Sequence, residues 1–488
     1  MLRSGVYADS VRLMQVSRDI GARDGVTAVL VAMATPLNLE LAINMGLAPE
    51  GAASPEQLLI AIRADDAEVL AEAEAAVDAA LAARERSTGT AAAVPQRTIG
   101  AGLDDLPPDA PALAIVSVPG TYAVAEAADA IAAGRSVLVF SDGVPVEHEV
   151  GLKLAARAAG VLVMGPDCGT AIVSGVALGF ANVVRPGPVG LVAASGTGAQ
   201  QVSCLLDAAG VGVSHVLGVG GRDLSAAVGG LATLDALAAL DADPATERVL
   251  LVSKPPAPSV AAAVAAAADE LSVPVRSAVL SPETPDLTAA VEALLTDMGL
   301  DVPTWPSRPG AAEAARPGAV LKGLYSGGTL ADETMLLAAP ALGDIRSNTP
   351  LKPELDLGTD LFASGHVVID FGDDALTVGR AHPMIDPTLR LEAIAAVAGG
   401  EEPAVLLLDV VLGYGADPDP AAVLQPALAA AREVAEFPLP VVIALIGTEG
   451  DPQGWSRQAD ALAAAGAAVF ASNAAATRYA LDLLGASE

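Results

Sequence analysis

Two cysteines in 488 residues rule out a disulfide framework. Cationic side chains are also scarce: 26 Lys and Arg stand against 59 Asp and Glu. The formal charge of −33 would repel nucleic acid and anionic membrane surfaces. No apolar run reaches the roughly 18 to 20 residues needed to span a bilayer. The mean hydropathy of +0.50 therefore comes from Ala, Val and Leu dispersed along the chain. The first residues, Met1, Leu2 and Arg3, do not open an apolar signal core. A soluble, cytoplasmic protein is expected, with neither nucleic acid nor membrane as partner. Any anionic substrate must be held by local devices.

What is present is a repeated alternation of short β-branched runs with Ala/Leu-rich helical stretches. The length and the 52% apolar content suit about three or four domains. Residues 1–95 read as a small α/β domain, with strands at 3–7, 26–33 and 57–63, helices from 9 and after 36, and an Ala/Glu-rich helix to about 84. Residues 87–95 and 103–111 read as linker. Strands are predicted at 113–118, 137–140, 161–164, 189–193, 213–217 and 249–252. After a Pro-rich linker at 302–310 come strands at 320–325, 366–370, 405–411 and 441–446. Such alternation indicates parallel, doubly wound sheets. The expected division is 1–95, 96–185, 186–305 and 306–488.

Two strand-to-helix junctions recur in altered form. The first carries Ser195, Gly196, Thr197 and Gly198, and the second Ser326, Gly327, Gly328 and Thr329. Each follows an apolar run with small residues that let the backbone turn tightly, and each precedes a helical stretch whose free N–H groups and dipole face the turn. Two opposed helix N-termini suit a phosphate-like group held between them.

Other polar residues carry competing readings. Gly221, Arg222 and Asp223 follow a strand, either as a solvated loop or facing ligand at the carboxyl end of a sheet. Lys254 precedes Pro255 and Pro256 on an extended loop, either as a surface lysine or as a cation at a strand end. His148 reads as exposed or capping, and His215 and His366 as core or strand-edge residues. His382 lies in a turn-rich loop with Arg380 and Asp386, which favours a ligand or acid/base role. Cys168 reads as a packed thiol, and Asp409 as a contact to a substrate amide or as a helix cap. Asp370, Asp373 and Asp374 read as surface carboxylates rather than a metal site.

The runs Ser141-Asp-Gly-Val-Pro145, Gly165-Pro-Asp-Cys-Gly169, Ser195-Gly-Thr197 and Gly218-Val-Gly-Gly221 resemble, in order and spacing, the α subunit of succinyl-CoA synthetase. Residues 322–483 resemble the carboxy-terminal ligase domain of its β subunit. Within that superfamily the chain most resembles the FdrA proteins, through Asp9-Ser-Val-Arg-Leu-Met14, Phe180-Ala-Asn-Val-Val-Arg185, Gly220-Gly-Arg-Asp-Leu-Ser225, Ser253-Lys-Pro-Pro256, Gly379-Arg-Ala-His-Pro-Met384 and Gly447-Thr-Glu-Gly-Asp-Pro-Gln453. The resemblance implies a Rossmann-like CoA-binding-type domain at 96–185 and two flavodoxin-like ligase domains. It also implies a subunit of an oxamate carbamoyltransferase in purine and allantoin catabolism. That enzyme interconverts carbamoyl phosphate and oxamate with oxalurate and phosphate, and works with separately encoded partner subunits in an oligomer.

The departures from the synthetases point the same way. The stretch after residue 252, where the synthetase α subunit carries its phosphate-ferrying histidine, has no histidine from 253 to 300. An ATP-grasp module is missing, as is the Gly-rich CoA-phosphate loop ahead of Leu113, so CoA is possible but not favoured as a cofactor. The glutamate that steadies the synthetase histidine falls at Lys254, reversing the charge. In this reading Lys254, Arg222 and Arg380 neutralise substrate charge, His382 moves a proton, and the two turns, with Gly221 and Asp409, bind substrate. The alternatives are an acyl-CoA synthetase or CoA transferase, and a noncatalytic scaffold.

Overall fold

The structure, a computed structural model, describes every residue except 4–9, 22, 24, 48, 50–52, 55, 56, 88–95, 97, 105, 108–110, 311–314, 359, 378–380, 487 and 488. It divides into two compact units, Met1–Pro95 with Thr377–Ala381, and Gln96–Leu376 with His382–Glu488. Among the described residues no helix is long and apolar enough to cross a membrane.

The first unit contains an antiparallel sheet in the order Leu2–Arg3, Leu58–Ala64, Val26–Met33. The central strand is apolar on both faces because both are covered. Leu58 and Ile60 pack with Leu13, Val16 and Ile20 of helix Ser10–Gly21 and with Ala73 and Val77 of helix Ala67–Ser87. Leu59 and Ala61 face Ala34 and Ala42 instead. The first strand is described at Leu2–Arg3, and residues 4–7 of the expected 3–7 lie outside the described residues.

Among the described residues the second unit holds three sheets. A small parallel one runs Leu113–Val116, Ser136–Val139, Val163–Met164. The next has the order Val275–Val279, Arg248–Ser253, Pro186–Ala193, Val213–Gly218, Thr170–Val173, Val176–Gly179. Its first four strands are parallel, and the last two form an antiparallel hairpin joined through Val216 and Ile172. The third has the order Ser307–Arg308, Ala467–Phe470, Val441–Ile446, Ala404–Val411, Val320–Tyr325, Val367–Asp370, with only Ser307–Arg308 antiparallel. Part of the expected Pro-rich linker is thus an edge strand, a position that tolerates its flanking prolines. Helix Ile99–Asp104 likewise occupies the start of the expected linker at 103–111.

The two six-stranded layers are fastened by side chains at helix and strand ends. Gln201 donates to the Ala471 carbonyl and accepts the Asn473 amide. Asp451 accepts from the Asn182 side chain and from the amides of Val183 and Thr448, while Thr448 Oγ1 donates to the Val183 carbonyl. Glu333 accepts the Leu287 amide on one oxygen and the Asn473 side chain on the other. The polar side chains of Gln201, Asn473, Asp451, Asn182, Thr448 and Glu333 are all buried, so each bond answers a desolvated polar group and fixes the register between the layers. The strings around 180–185 and 447–453 serve as this clamp.

Candidate functional site

The clamp brings the two glycine-bearing turns into contact. Ser195 ends the apolar strand Pro186–Ala193 and caps helix Gly196–Ala208, its Oγ accepting the Gly198 amide at 2.9 Å. The same Oγ lies 2.6 Å from Oγ1 of Thr329, in the first turn of helix Gly328–Leu342. Thr197 seats against Gly327: a Cβ on Gly327 would stand only 2.7 Å from Cβ of Thr197, with Cγ2 and Oγ1 closer still. All eight residues of the two sequence-predicted turns are therefore assembled at one place. Two sets of helix N-terminal N–H groups and two positive dipole ends converge there.

Lys254 follows strand Arg248–Ser253, and its Nζ lies 2.6 Å from Oδ2 of Asp332 on the second helix. Half-exposed, Lys254 also approaches Gly328, where its Nζ would stand 3.7 Å from an added Cβ. Burial raises the carboxyl of Asp332, and Lys254 opposes that rise.

Asp370 is a correction to the sequence reading. It ends strand Val367–Asp370 and is 7% exposed, not a surface carboxylate. Its Oδ1 accepts the Gly372 amide at 2.8 Å, and its Oδ2 would stand 2.5 Å from a Cβ on Gly328. Burial pushes its carboxyl up to about 7. The Gly372 bond and Lys254 oppose the shift, and Asp409 and Asp373 add to it.

Asp409, expected to contact a substrate amide or to cap a helix, is fully buried. It lies within the wholly buried strand Ala404–Val411, where its Oδ1 accepts both the amide and the hydroxyl of Ser326, at 2.8 and 2.9 Å. Arg390 pairs with it at 3.2 Å and also donates to the carbonyls of Leu324 and Asp409. A buried ion pair thus braces the second turn from behind. Among the described residues Asp409 Oδ2 and Arg390 Nε have no hydrogen-bond partner.

His382 reaches the same neighbourhood. Its ring lies 5.4 Å from that of Phe180, and its Nε2 would stand 3.0 Å from a Cβ on Gly372. Burial, with Arg390 nearby, lowers the imidazole to about 4, so it is neutral at physiological pH. Nδ1 accepts the Met384 amide at 3.3 Å, which leaves the ring proton on Nε2. The ring therefore presents a donor rather than a base toward Gly372.

Other expected site residues are placed elsewhere. Arg222 donates to the Val144 carbonyl and pairs with Glu149 at 3.0 Å, and Gly221 lies beside Asp167. Among the described residues no hydrogen bond or ion pair joins either to the paired turns. Asp223 is neither solvated nor turned to ligand. It is fully buried, pairs with Lys153 at 2.8 Å and accepts the amides of Ala232 and Thr233 at the start of helix Leu231–Ala242. Arg380 lies outside the described residues. Cys168 is buried, its thiol pushed up to about 12 by burial, as a packed thiol would be. His215 and His366 accept the amides of Ser174 and Leu321 at strand edges.

Residues 324–483 match the CoA-ligase family, and residues 1–96 match the AllF heavy metal-associated domain. Both cysteines and all four histidines lie outside 1–96, so that segment holds no thiolate or imidazole donor. Among the described residues no cluster of His, Cys, Asp and Glu suits a metal ion.

The chain is 37% identical to the uncharacterized protein YahF of Escherichia coli K12 over 97% of its own length and 96% of that protein's. It is 31% identical to the succinate–CoA ligase [ADP-forming] subunit alpha 2 of Archaeoglobus fulgidus, over 29% of this chain and 49% of the relative. With the malate–CoA ligase subunit alpha of Methylorubrum extorquens it shares 32% identity, over 31% of this chain and 52% of the relative. Among solved structures, the apo dinucleotide-forming acetyl-coenzyme A synthetase 1 of Ca. Korarchaeum cryptofilum aligns with 77% of this chain and 87% of its own, at 17% identity and a TM-score of 0.30.

Proposed function

The chain belongs to the FdrA family of succinyl-CoA-synthetase-like proteins, and from that premise we propose that it transfers a carbamoyl group, binding phosphate and carbamoyl phosphate at the paired turns. The reading is that of an oxamate carbamoyltransferase subunit. The amide nitrogen of oxamate attacks the carbamoyl carbon, the bond from that carbon to the phosphate oxygen breaks, and the nitrogen gives up a proton. Phosphate and oxalurate are the products.

The observation that supports it is the direct meeting of Ser195 and Thr329 at 2.6 Å. Two helix N-termini at one point suit a leaving phosphate whose charge grows along the reaction, and such preorganised donors lower the barrier without reorganising. Lys254 adds a cation beside Gly328. His382 serves as a neutral Nε2–H donor to a substrate oxygen, in place of the proton-shuttling role expected from its sequence context. Arg222, held by Glu149 and Val144, contributes less than the sequence suggested. Separately encoded partner subunits supply what this chain lacks for oxamate.

A second reading, an acid–thiol ligase working with CoA, is supported by the CoA-ligase match over 324–483 and by the ligase α-subunit relatives. One experiment separates the two. The purified chain, with and without the neighbouring gene products, is given oxalurate and phosphate, and in parallel CoA, ATP and a panel of carboxylic acids. Carbamoyl phosphate formed without CoA is the expected result. Thioester formation with no phosphorolysis of oxalurate would establish the ligase instead.

A further inference from the structure

Gly328 opens a 15-residue helix, and the side chain aimed at its N-terminus is a buried carboxylate. Asp370 Oδ2 would stand 2.5 Å from a Cβ at Gly328, so only glycine allows this approach. Oδ1 is occupied by the Gly372 amide, and among the described residues nothing donates a hydrogen bond to Oδ2. Lys254, the cation that bears on Asp370, does not bond Oδ2 and pairs with Asp332 at 2.6 Å. An oxyanion drawn to the helix N-terminus must meet Oδ2, and two oxyanions in contact cannot both stay ionised. One proton has to lie between them.

We propose that Asp370 is the proton-bearing ligand of this site, holding a phosphate-type oxyanion as a carboxylic acid that donates its O–H to the anion. The inference rests on the anion-binding reading above and names what that site selects: an oxyanion together with one proton. A carboxyl that titrates near 7 fits the task, because it holds its proton at neutral pH at little cost. The charged groups around it act as follows. Asp373 on its own loop and Asp409, two strands away across Val320–Tyr325, favour the protonated form, while Lys254 from the loop after Arg248–Ser253 disfavours it. Asp332 on the helix is paired with Lys254, and His382 is neutral above about pH 4.

The test uses sulfate, which carries no proton to exchange between pH 6 and 9, so any proton taken up on binding belongs to the protein. The full chain is titrated with sulfate by calorimetry at pH 6 to 8.5, in pairs of buffers with different heats of ionisation. Expected are uptake approaching one proton per sulfate at pH 8.5 and an affinity falling about tenfold per pH unit above 7. Asp370→Asn keeps a donor but cannot titrate. It should bind sulfate with little pH dependence and more tightly than wild type at pH 8.5. Failure of the wild-type chain to bind either sulfate or phosphate at pH 6 would overturn the anion-binding reading and this inference with it. Sulfate binding without proton uptake would overturn the role of Asp370 alone and leave that reading standing. So would an Asp370→Asn variant that keeps the wild-type pH slope. The proton-uptake measurement needs only wild-type protein, so its absence overturns the role of Asp370 even if the variant misfolds.

Discussion

Ser195 Oγ and Thr329 Oγ1 lie 2.6 Å apart although 134 residues separate them in the chain. The bond joins the N-terminus of one helix to the first turn of another, and Ser195 also caps its own helix. Ser195→Ala should therefore cost about 1 kcal/mol of stability from the lost cap and weaken phosphate binding besides. Thr329→Val keeps the shape and the cap, and should cost less in urea melts while still weakening phosphate binding. Equal stability losses in the two variants would argue against the separate capping role.

Gly327 tests the contact between the turns. Its backbone, at φ −136°, is open to any residue, so an effect of Gly327→Ala must come from the collision with Thr197. The expected result is a loss of about 1 to 3 kcal/mol from overpacking, unchanged far-ultraviolet circular dichroism, and phosphate binding reduced beyond detection by calorimetry. Combining it with Thr197→Gly should restore part of the stability.

Lys254→Glu should abolish binding of phosphate and carbamoyl phosphate, because it sets a third carboxylate beside Asp332 and Asp370. Lys254→Ala should weaken binding by roughly 1.5 kcal/mol, the lower end for a charged hydrogen bond, since the half-exposed ammonium is screened by water. Unchanged calorimetric affinity in both variants would leave the helix N-termini as the anion-binding device.

Asp370 and Glu333 should each lower stability as pH rises from about 4 to about 7, partly offset by His382, whose lowered imidazole contributes a rise up to its ordinary 6.5. Asp370 and Glu333 both titrate near 7 in the folded chain, against ordinary values of 3.8 and 4.5. At these two carboxyls the native state therefore holds more protons than the unfolded chain in that window, and their contribution to stability declines as pH climbs through it. Asp370→Asn should flatten part of the decline and raise stability at pH 8, by about 4 kcal/mol at the most for a shift of this size. Glu333 keeps the remainder. Chemical denaturation of the wild type and of Asp370→Asn at pH 5 and pH 8 isolates the Asp370 contribution, and a variant that keeps the wild-type pH dependence would contradict the assignment.

No histidine should carry a phosphoryl group. His382, the one histidine near the turns, keeps its proton on Nε2 and its Nδ1 toward the Met384 amide, so neither nitrogen is free to attack. Labelled ATP, or labelled phosphate with an acyl-CoA, should leave no acid-labile label on the protein. Stable labelling would favour the ligase reading over carbamoyl transfer.

The parallel layers were legible in the sequence because their physics is local. A run such as 441–446, apolar at every position, must be covered on both faces, and Ser195 before Gly196 announces a cap. The hairpin Thr170–Gly179 escaped notice because each strand is four residues long and its glycines read as a loop motif. The edge strand Ser307–Arg308 was hidden among prolines. Within the candidate site, the small residues of both turns could be named from sequence, whereas the carboxylates around them could not be sorted. Asp370, in the polar string Asp370-Phe-Gly-Asp-Asp374, looks as exposed as Asp374, and Asp409 looks like the end of a strand. Burial and charge are set by what packs against a side chain, and here those partners come from residues as distant as Lys254, Ser326 and Arg390. The sequence by itself determined most of the parallel strands, the helical stretches between them and the two small-residue turns. Only the tertiary structure decided that the turns touch, and which carboxylate faces the helix end with a free oxygen, since both depend on contacts between segments far apart in the chain.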